Sequence, residues 1–235
     1  MNESVLARLK AASGPKGFSE DKAEIAPHLE EWRGKYHGRS PLLLKPATTA
    51  QVSAILAVCN ETATPLVVQG GNTGLVGGQT QLHGEVLLST KRLNRIRARD
   101  PEGPSLIAEA GVTLSGVQQA ADEMGLLYPV SLASEGSCTI GGNISTNAGG
   151  VNVLRYGMTR ASILGLEVVL ADGTVLEMLR TLQKDNTGYD LKQIFIGAEG
   201  TLGIVTAAAL RRSRSTAGRA AAFAFSSATS SLRDN

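Results

Sequence analysis

Several features that define common protein classes are absent from this sequence of 235 residues. Its two cysteines, Cys59 and Cys138, belong to no CxxC pair, so neither a disulfide framework nor a cysteine metal site is expected. The three histidines are widely spaced and form no HExxH-like pair. We therefore predict no metal site and assign no histidine a catalytic role.

Features typical of membrane and nucleic-acid proteins are missing as well. No run approaches about 18 consecutive apolar residues, the length of a membrane-spanning helix. The N-terminal residues are mixed and charged, unlike the apolar core of a secretion signal. With 23 basic and 21 acidic side chains, the formal charge of +2 predicts no basic surface for nucleic acid. We therefore expect a cytoplasmic globular protein that binds neither nucleic acid nor membrane.

Two common phosphate-binding motifs cannot be found. The sequence contains no Gly-Lys-Ser or Gly-Lys-Thr, which excludes a P-loop kinase or ATPase. No two glycines are spaced two residues apart, so the GxGxxG fingerprint of the Rossmann fold occurs nowhere.

Glycine itself is abundant. Of 27 glycines, 22 lie between Gly70 and Gly203. Glycine is used where the backbone must adopt positive φ or approach another group closely. This concentration predicts that the functional region lies between these two residues.

The first glycine-rich segment spans residues 69–78 and directly follows a predicted strand at 65–68. Five glycines in ten residues leave backbone N–H groups uncovered, as in loops that bind phosphate. A glycine-rich surface turn is the alternative. The candidate ligand contacts are Gln69, Gly70, Gly71, Asn72, Thr73, Gly74, Leu75 and Gly78.

The second segment spans residues 134–150 and combines five glycines with hydroxyl and amide side chains. No histidine is near enough in sequence to form a nucleophile–base pair. We interpret it as irregular backbone lying along a flat ligand with polar edges; a contact between small residues of two helices is the alternative. Its candidate contacts are Ser134, Gly136, Ser137, Ile140, Gly141, Gly142, Asn143, Thr146, Asn147, Gly149 and Gly150.

The third segment comprises residues 184–191 and 197–206. Taken alone, Asp190 is interpreted as the cap of a short helix at 191–195 and Tyr189 as a core residue, both of them structural roles.

Hydrophobic periodicity and turn residues predict four regions. Residues 1–40 form a loose N-terminal arm with a short helix at 4–12. Residues 41–100 form a first α+β subdomain. Residues 101–210 form a second α+β subdomain, which includes a hairpin at 166–178 around Ala171-Asp172-Gly173. Residues 211–235 contain six Ser, five Arg and six Ala, and we interpret them as a disordered or aberrant tail. Thr48 and Thr49 are candidate N-caps of a helix that carries Val52, Ile55, Leu56 and Cys59.

Five motifs together resemble one family. They are GGNTGLVGG at 70–78, IGGNISTNAGG at 140–150, RYGMTR at 155–160, DNTGYDL at 185–191 and GAEGTLGIVT at 197–206. In this order they resemble the PCMH-type FAD-binding proteins of the vanillyl-alcohol-oxidase fold, in particular D-2-hydroxyglutarate and D-lactate dehydrogenases and the glycolate-oxidase D subunit. The resemblance extends from about residue 41 to 210.

This resemblance implies an α+β fold in which two subdomains clasp an extended FAD. It implies that residues 69–78 hold the pyrophosphate and that residues 134–150 run along the diphosphate and the flavin ring. It also implies that Glu199, Gly200 and Ile204 line the adenine–ribose and flavin side of the cofactor. In members with covalent FAD, a histidine commonly occupies the third position of the first loop. Because this position is Asn72, we predict non-covalent FAD.

The resemblance also implies hydride transfer from a D-2-hydroxy acid to flavin, with the substrate clamp and the base in a C-terminal cap domain. Because the motifs give way to the Ser/Arg/Ala-rich tail, we expect a truncated or frameshifted product and name no catalytic residue. The alternative is an FAD-binding fragment or subunit without activity of its own. A cap domain, a partner subunit or a second copy is expected as partner. A UDP-N-acetylenolpyruvoylglucosamine reductase is a further alternative, disfavoured by the motifs at 140–150 and 185–191.

Overall fold

The computed structural model describes residues 2–100, 103 and 105–214. The helices are α1 (Glu3–Ser13), α2 (Lys22–Ile25), α3 (Thr49–Glu61), α4 (Leu114–Asp122), α5 (Ile140–Ser145), α6 (Val153–Tyr156) and α7 (Lys192–Phe195). The strands are β1 (Phe18–Ser19), β2 (Leu43–Leu44), β3 (Leu66–Gln69), β4 (Val86–Ser89), β5 (Ile96–Arg99), β6 (Ser105–Glu109), β7 (Leu126–Leu127), β8 (Ile163–Val169), β9 (Val175–Met178), β10 (Ile204–Arg211) and β11 (Ser213–Arg214). Helices and sheets are mixed in the order expected of an α+β fold, as predicted.

The first sheet has the strand order β1-β2-β4-β3. Within it, strands β2 and β3 each pair in parallel with β4. Helix α3 connects β2 to β3 and buries the predicted side chains Val52, Ile55, Leu56 and Cys59 against this sheet. Burial raises the pKa of the Cys59 thiol to about 11, so this cysteine is not a nucleophile at neutral pH.

The two threonines predicted as alternative caps of α3 have different roles. The Thr48 side chain accepts a hydrogen bond from the N–H of Gln51 and is the N-cap. The Thr49 hydroxyl instead donates to Glu167 of β8 at 2.6 Å and thereby joins the helix to the second sheet.

The second sheet is antiparallel throughout, with the order β5-β6-β10-β8-β9. Its central strand β10 is buried from Ile204 to Leu210 because both of its edges are paired. The predicted hairpin is confirmed, since β8 and β9 pair across the turn at 170–174. Among the described residues, every helix is too short or too polar to span a lipid bilayer.

The structure places two of the predicted boundaries differently. Strand β5 pairs with β6, so residues 96–99 belong to the second sheet and not to a subdomain ending at residue 100. At the other end, β10 continues to Arg211 and β11 pairs with β7, so the irregular tail does not begin at residue 211. The remainder of the predicted tail, residues 215–235, lies outside the described residues.

The N-terminal arm is also more ordered than predicted. Helix α1 packs on α3 with Leu9 fully buried, and β1 adds an antiparallel strand to the first sheet. Asn2 caps α1, and Asp21 caps α2. The arm is therefore not loose: its few apolar side chains are needed to complete the core beneath the first sheet.

A charged network links three strands of the second sheet to helix α3. Arg97 of β5 contacts two carboxylates, Glu109 of β6 at 3.1 Å and Glu167 of β8 at 3.0 Å. Glu109 is fully buried, and Glu167 also accepts hydrogen bonds from the hydroxyls of Thr49 and Thr206. Burial acts to raise the pKa of both carboxyls, but the hydrogen bonds from arginine and hydroxyl groups outweigh it and lower the pKa of each below its ordinary value.

Candidate functional site

A cleft of about 280 Å³ lies where the loop after β3 meets α5 and the beginning of β10. All three predicted segments contribute to its wall. Fourteen predicted residues line it: Gly70, Gly71, Asn72, Thr73, Gly74, Gly78, Ser134, Gly141, Gly142, Asn143, Thr146, Glu199, Gly200 and Ile204. The first and second segments, which are 55 residues apart in sequence, are therefore brought together with the third.

Eight predicted residues do not line the cleft. They are Gln69, Leu75, Gly136, Ser137, Ile140, Asn147, Gly149 and Gly150. Several of them support the wall from behind. Ile140 belongs to the core beneath the second sheet, and Asn147 accepts a hydrogen bond from the N–H of Arg160 at 3.0 Å. Gln69 is buried and bonded to His28.

Sequence reasoning missed other lining residues. They are Val68, Val76, Gln79, Thr90, Leu132, Cys138, Thr139, Ser145, Ala148, Gly203 and Val205. Cys138, Thr139 and Ser145 lie inside the second glycine-rich segment, so the same pattern could have included them. Thr90 and Leu132 lie outside every motif, and only the tertiary fold places them at the cleft.

The chemistry of the first loop is set by its unused backbone donors. Among the described residues, no backbone N–H of residues 70–79 donates to a protein acceptor. Among the described residues that line the cleft there is neither lysine nor arginine, and the charged side chain in its wall is the carboxylate of Glu199. Such a surface binds an anion through neutral, oriented N–H groups.

The second segment is built differently from the prediction. Instead of irregular backbone throughout, residues 140–145 form α5. The N–H groups of Ile140 and Gly141 at its beginning donate to the carbonyls of Val112 at 2.9 Å and Ala110 at 2.7 Å. These two donors are not available to a phosphate. In addition, a Cβ on Gly141 would lie 2.7 Å from that of Ala110, so this glycine serves close packing.

The first and second segments touch through their glycines. A Cβ on Gly70 would lie 2.4 Å from the hydroxyl oxygen of Thr139, and one on Gly71 would lie 2.1 Å from the carbonyl oxygen of Ser137. Side chains at either position would separate the two walls. Glycine is therefore required here by contact between chain segments, as well as by access to a ligand.

Backbone strain is concentrated in the same place. Asn72, Asn147 and Glu199 have positive φ values of 58°, 46° and 52°, a conformation that costs energy for residues other than glycine. Each of the three predicted segments contains one of these residues. Glu199 is held in this conformation by its N–H, which donates to the carbonyl of Ser145 in α5 at 2.8 Å.

The DNTGYDL motif does not reach the cleft. Tyr189 is 93% exposed, so its interpretation as a core residue is wrong. The carboxylate of Asp190 contacts Lys192 and Gln193, but α7 has no side-chain N-cap. Within the part of the chain that the structure describes, no group of three or more potential metal ligands occurs.

The residues of the cleft fit a dinucleotide such as FAD. A diphosphate needs donors, and residues 70–79 supply backbone N–H groups that donate to no described protein acceptor. The hydroxyls of Thr73, Ser134 and Thr146 and the amide of Asn143 add polar groups for the edges of a flat ring.

Comparisons with known proteins agree with this geometry. The model of a family described as FAD binding domain matches residues 40–179. The chain is 49% identical over 190 residues to a mitochondrial D-2-hydroxyglutarate dehydrogenase of Bos taurus, covering 81% of this chain and 35% of the relative. It is 44% identical over 188 residues to a D-2-hydroxyglutarate–pyruvate transhydrogenase of Saccharomyces cerevisiae, covering 80% of this chain and 38% of the relative.

A third relative broadens the comparison. The chain is 46% identical over 188 residues to a Schizosaccharomyces pombe protein whose name assigns it as a mitochondrial D-lactate dehydrogenase, covering 80% of this chain and 36% of the relative. The chain thus spans little more than a third of the length of these relatives.

The fold is shared with a solved structure of alkyldihydroxyacetonephosphate synthase. The TM-score is 0.80 over 91% of this chain and 41% of the synthase, although only 20% of the residues are identical. This likeness supports the predicted PCMH-type architecture and nothing about the substrate.

The expectation of a cytoplasmic protein is contradicted by these relatives. Those from Bos taurus, Arabidopsis thaliana and Schizosaccharomyces pombe are named as mitochondrial proteins. Near-neutral charge and the lack of long apolar runs could not reveal this, because they describe soluble proteins of any aqueous compartment.

The family model covers more than half of the chain and spans the first two of the three segments that line the cleft. This chain belongs to the family of FAD-binding domains, and FAD is its cofactor.

Proposed function

We propose that this chain holds FAD non-covalently in the cleft and forms the cofactor-binding portion of an oxidoreductase that acts on a D-2-hydroxy acid. The observation that carries the cofactor site is the run of uncovered backbone N–H groups at residues 70–79. The substrate class comes from the relatives, whose names include D-2-hydroxyglutarate and D-lactate dehydrogenases.

The residues divide the binding between them. The N–H groups of residues 70–79 would bind the diphosphate, and α5 with its flanking loops would lie along the flat ring. Glu199 would accept hydrogen bonds from hydroxyl groups of the cofactor, because an ionised carboxylate accepts hydrogen bonds and donates none. FAD supplies hydride acceptance at its ring when it is bound.

Substrate handling requires groups that the cleft does not contain. Among the described lining residues there is no histidine, lysine or arginine to hold a carboxylate or accept a hydroxyl proton. We propose that a cap domain or a partner subunit supplies them. An FAD-binding portion without activity of its own therefore remains the alternative function.

Exposed apolar side chains support such a partner. Leu154 is fully exposed and Val151 is 84% exposed, at and near α6. This segment adjoins the cleft, because the N–H of Val151 donates to the carbonyl of Ser131, next to the lining residue Leu132. Adjoining apolar patches of this kind favour covering by another domain, a partner subunit or a second copy in a homodimer.

The two functions are separated by one experiment on the full chain. Purified protein reconstituted with FAD is expected to show a bound-flavin absorbance spectrum. Anaerobic addition of D-2-hydroxyglutarate, D-lactate or glycolate then bleaches the spectrum if the chain is a complete enzyme. A bound spectrum without bleaching favours the alternative, an FAD-binding portion without activity of its own, and failure to retain FAD contradicts both.

The non-covalent attachment gives its own prediction. Asn72 has no imidazole, and its amide is turned away to donate to the carbonyl of Glu30 at 2.9 Å. Precipitation of the holoprotein with acid is therefore expected to release all flavin into the supernatant. A yellow pellet, or flavin that migrates with the denatured chain on a gel, would show a covalent bond.

A further inference from the structure

An N-terminal segment packs against the cofactor loop. This segment, residues 26–39, is called the clasp below; it precedes the family match, which begins at residue 40. It contacts residues 69–81 at several points but contributes none of the residues that line the cleft. Its role therefore has to be indirect.

The first contact is a reciprocal pair between His28 and Gln69. The amide nitrogen of Gln69 donates to the carbonyl of His28 at 3.0 Å, and the amide oxygen lies 2.6 Å from Nδ1 of the same histidine. Because this oxygen can only accept, Nδ1 of His28 must carry the proton. Gln69 is the last residue of β3, so the pair fixes the point at which the loop begins.

The second contact holds a strained residue. Asn72 has φ of 58°, and its amide nitrogen donates to the carbonyls of Glu30 at 2.9 Å and Pro27 at 3.4 Å. A left-handed conformation costs energy and persists only where neighbouring groups enforce it. Here the enforcing groups belong to the clasp.

The third contact is apolar. The ring of Tyr36 lies against Gly77, where a Cβ would approach it to 2.7 Å. Beyond it, the N–H of Arg39 donates to the carbonyl of Gln81 at 2.8 Å. The clasp thus contacts the loop at its beginning, near its middle and beyond its end.

The clasp is held together by hydrogen bonds within itself. The carboxylate of Glu31, only 2% exposed, accepts hydrogen bonds at 2.6 Å from the N–H groups of Arg33 and Lys35. Residues 30 and 37 pair as an isolated antiparallel bridge. A buried carboxylate that closes a turn in this way preorganises the whole segment.

We propose that the clasp holds residues 70–79 in the conformation that receives the cofactor, and that Tyr36 and Glu31 are positioning residues of the site. This inference rests on the proposed cofactor site. The physical reason is preorganisation: if the loop adopts the binding conformation only part of the time, the apparent affinity falls by the same fraction.

The test uses the full chain and four variants of the clasp. Tyr36→Ala is expected to raise the Kd for FAD at least about tenfold, which corresponds to a loop that is competent about a tenth of the time. Tyr36→Phe keeps the ring and is expected to restore binding. Trp32→Ala removes an exposed aromatic side chain from the same segment and is the control, with affinity unchanged.

Hydrogen exchange of the apoprotein supplies the local readout. Tyr36→Ala and, independently, Glu31→Gln are expected to speed exchange at residues 70–79 while strands β8 and β10 stay protected. Wild-type affinity in both variants would overturn the inference. So would weaker binding accompanied by faster exchange throughout both sheets, since that is a loss of stability. If the wild-type chain itself fails to bind FAD, the proposed function fails instead.

Discussion

Replacing Gly71 by alanine is expected to weaken FAD binding by at least about a hundredfold, or roughly 2.7 kcal/mol. The new Cβ would lie 2.1 Å from the carbonyl oxygen of Ser137, a separation at which backbone must move. The loop at 70–79 would then be pushed away from the second segment, and the N–H groups that face the diphosphate would lose their common orientation. Flavin fluorescence titration of the refolded apoprotein measures the effect.

Gly136→Ala is the matched control for this substitution. Gly136 lies in the opposing segment, has ordinary φ, and a Cβ on it would meet no atom within 4 Å. The affinity of this variant for FAD is expected to stay within about twofold of wild type, since surface substitutions away from special features change stability little. Equal weakening in both variants would mean that glycine content, and not this contact, controls binding.

A compensating pair tests the same contact from the other side. Gly70→Ala alone would bring its Cβ to 2.4 Å from the hydroxyl oxygen of Thr139. Combining it with Thr139→Ala removes that oxygen, so the double variant is expected to bind FAD better than Gly70→Ala alone. Additive losses in this cycle would contradict the proposed contact between the two loops.

Arg97→Met is expected to cost about 2–4 kcal/mol of unfolding free energy, because it leaves a buried carboxylate without its cation. Glu167 would keep only the hydroxyls of Thr49 and Thr206, while Glu109 would keep Arg95. The loss of stability is therefore expected mainly at the contact between α3 and the second sheet. Urea unfolding at neutral pH measures it.

Arg99→Met is the control on the same strand. Arg99 pairs with Glu123, and both side chains are about half exposed, so this pair should contribute less than about 1 kcal/mol. A similar cost for the two variants would mean that charge on β5, and not the buried network, stabilises the fold.

The network also predicts a pH dependence. The pKa values of Glu109 and Glu167 are lowered in the folded chain, chiefly by Arg95 and Arg97 against the opposing effect of burial. Their contribution is therefore fully present above the ordinary glutamate pKa of about 4.3 and is lost as the pH falls below it. Arg97→Met should flatten this acid-side decrease in stability, and an unchanged slope would argue against the assignment.

Local features of the fold were determined by sequence. The apolar spacing of α3, its cap at Thr48 and the hairpin around Gly173 depend on neighbours a few residues away, and each occurs where it was predicted. The location of the cofactor loop after a short strand is likewise local, since an edge strand followed by glycines leaves its N–H groups uncovered.

Tertiary structure alone decided which protein groups each glycine packs against. Gly141 and Gly71 belong to equally glycine-rich motifs, yet one packs on Ala110 and the other on Ser137, because those contacts form between segments far apart in sequence. The clasp could not be predicted for the same reason. Its residues carry no motif, and their effect arises only when backbone carbonyls at positions 27 and 30 meet Asn72 in space.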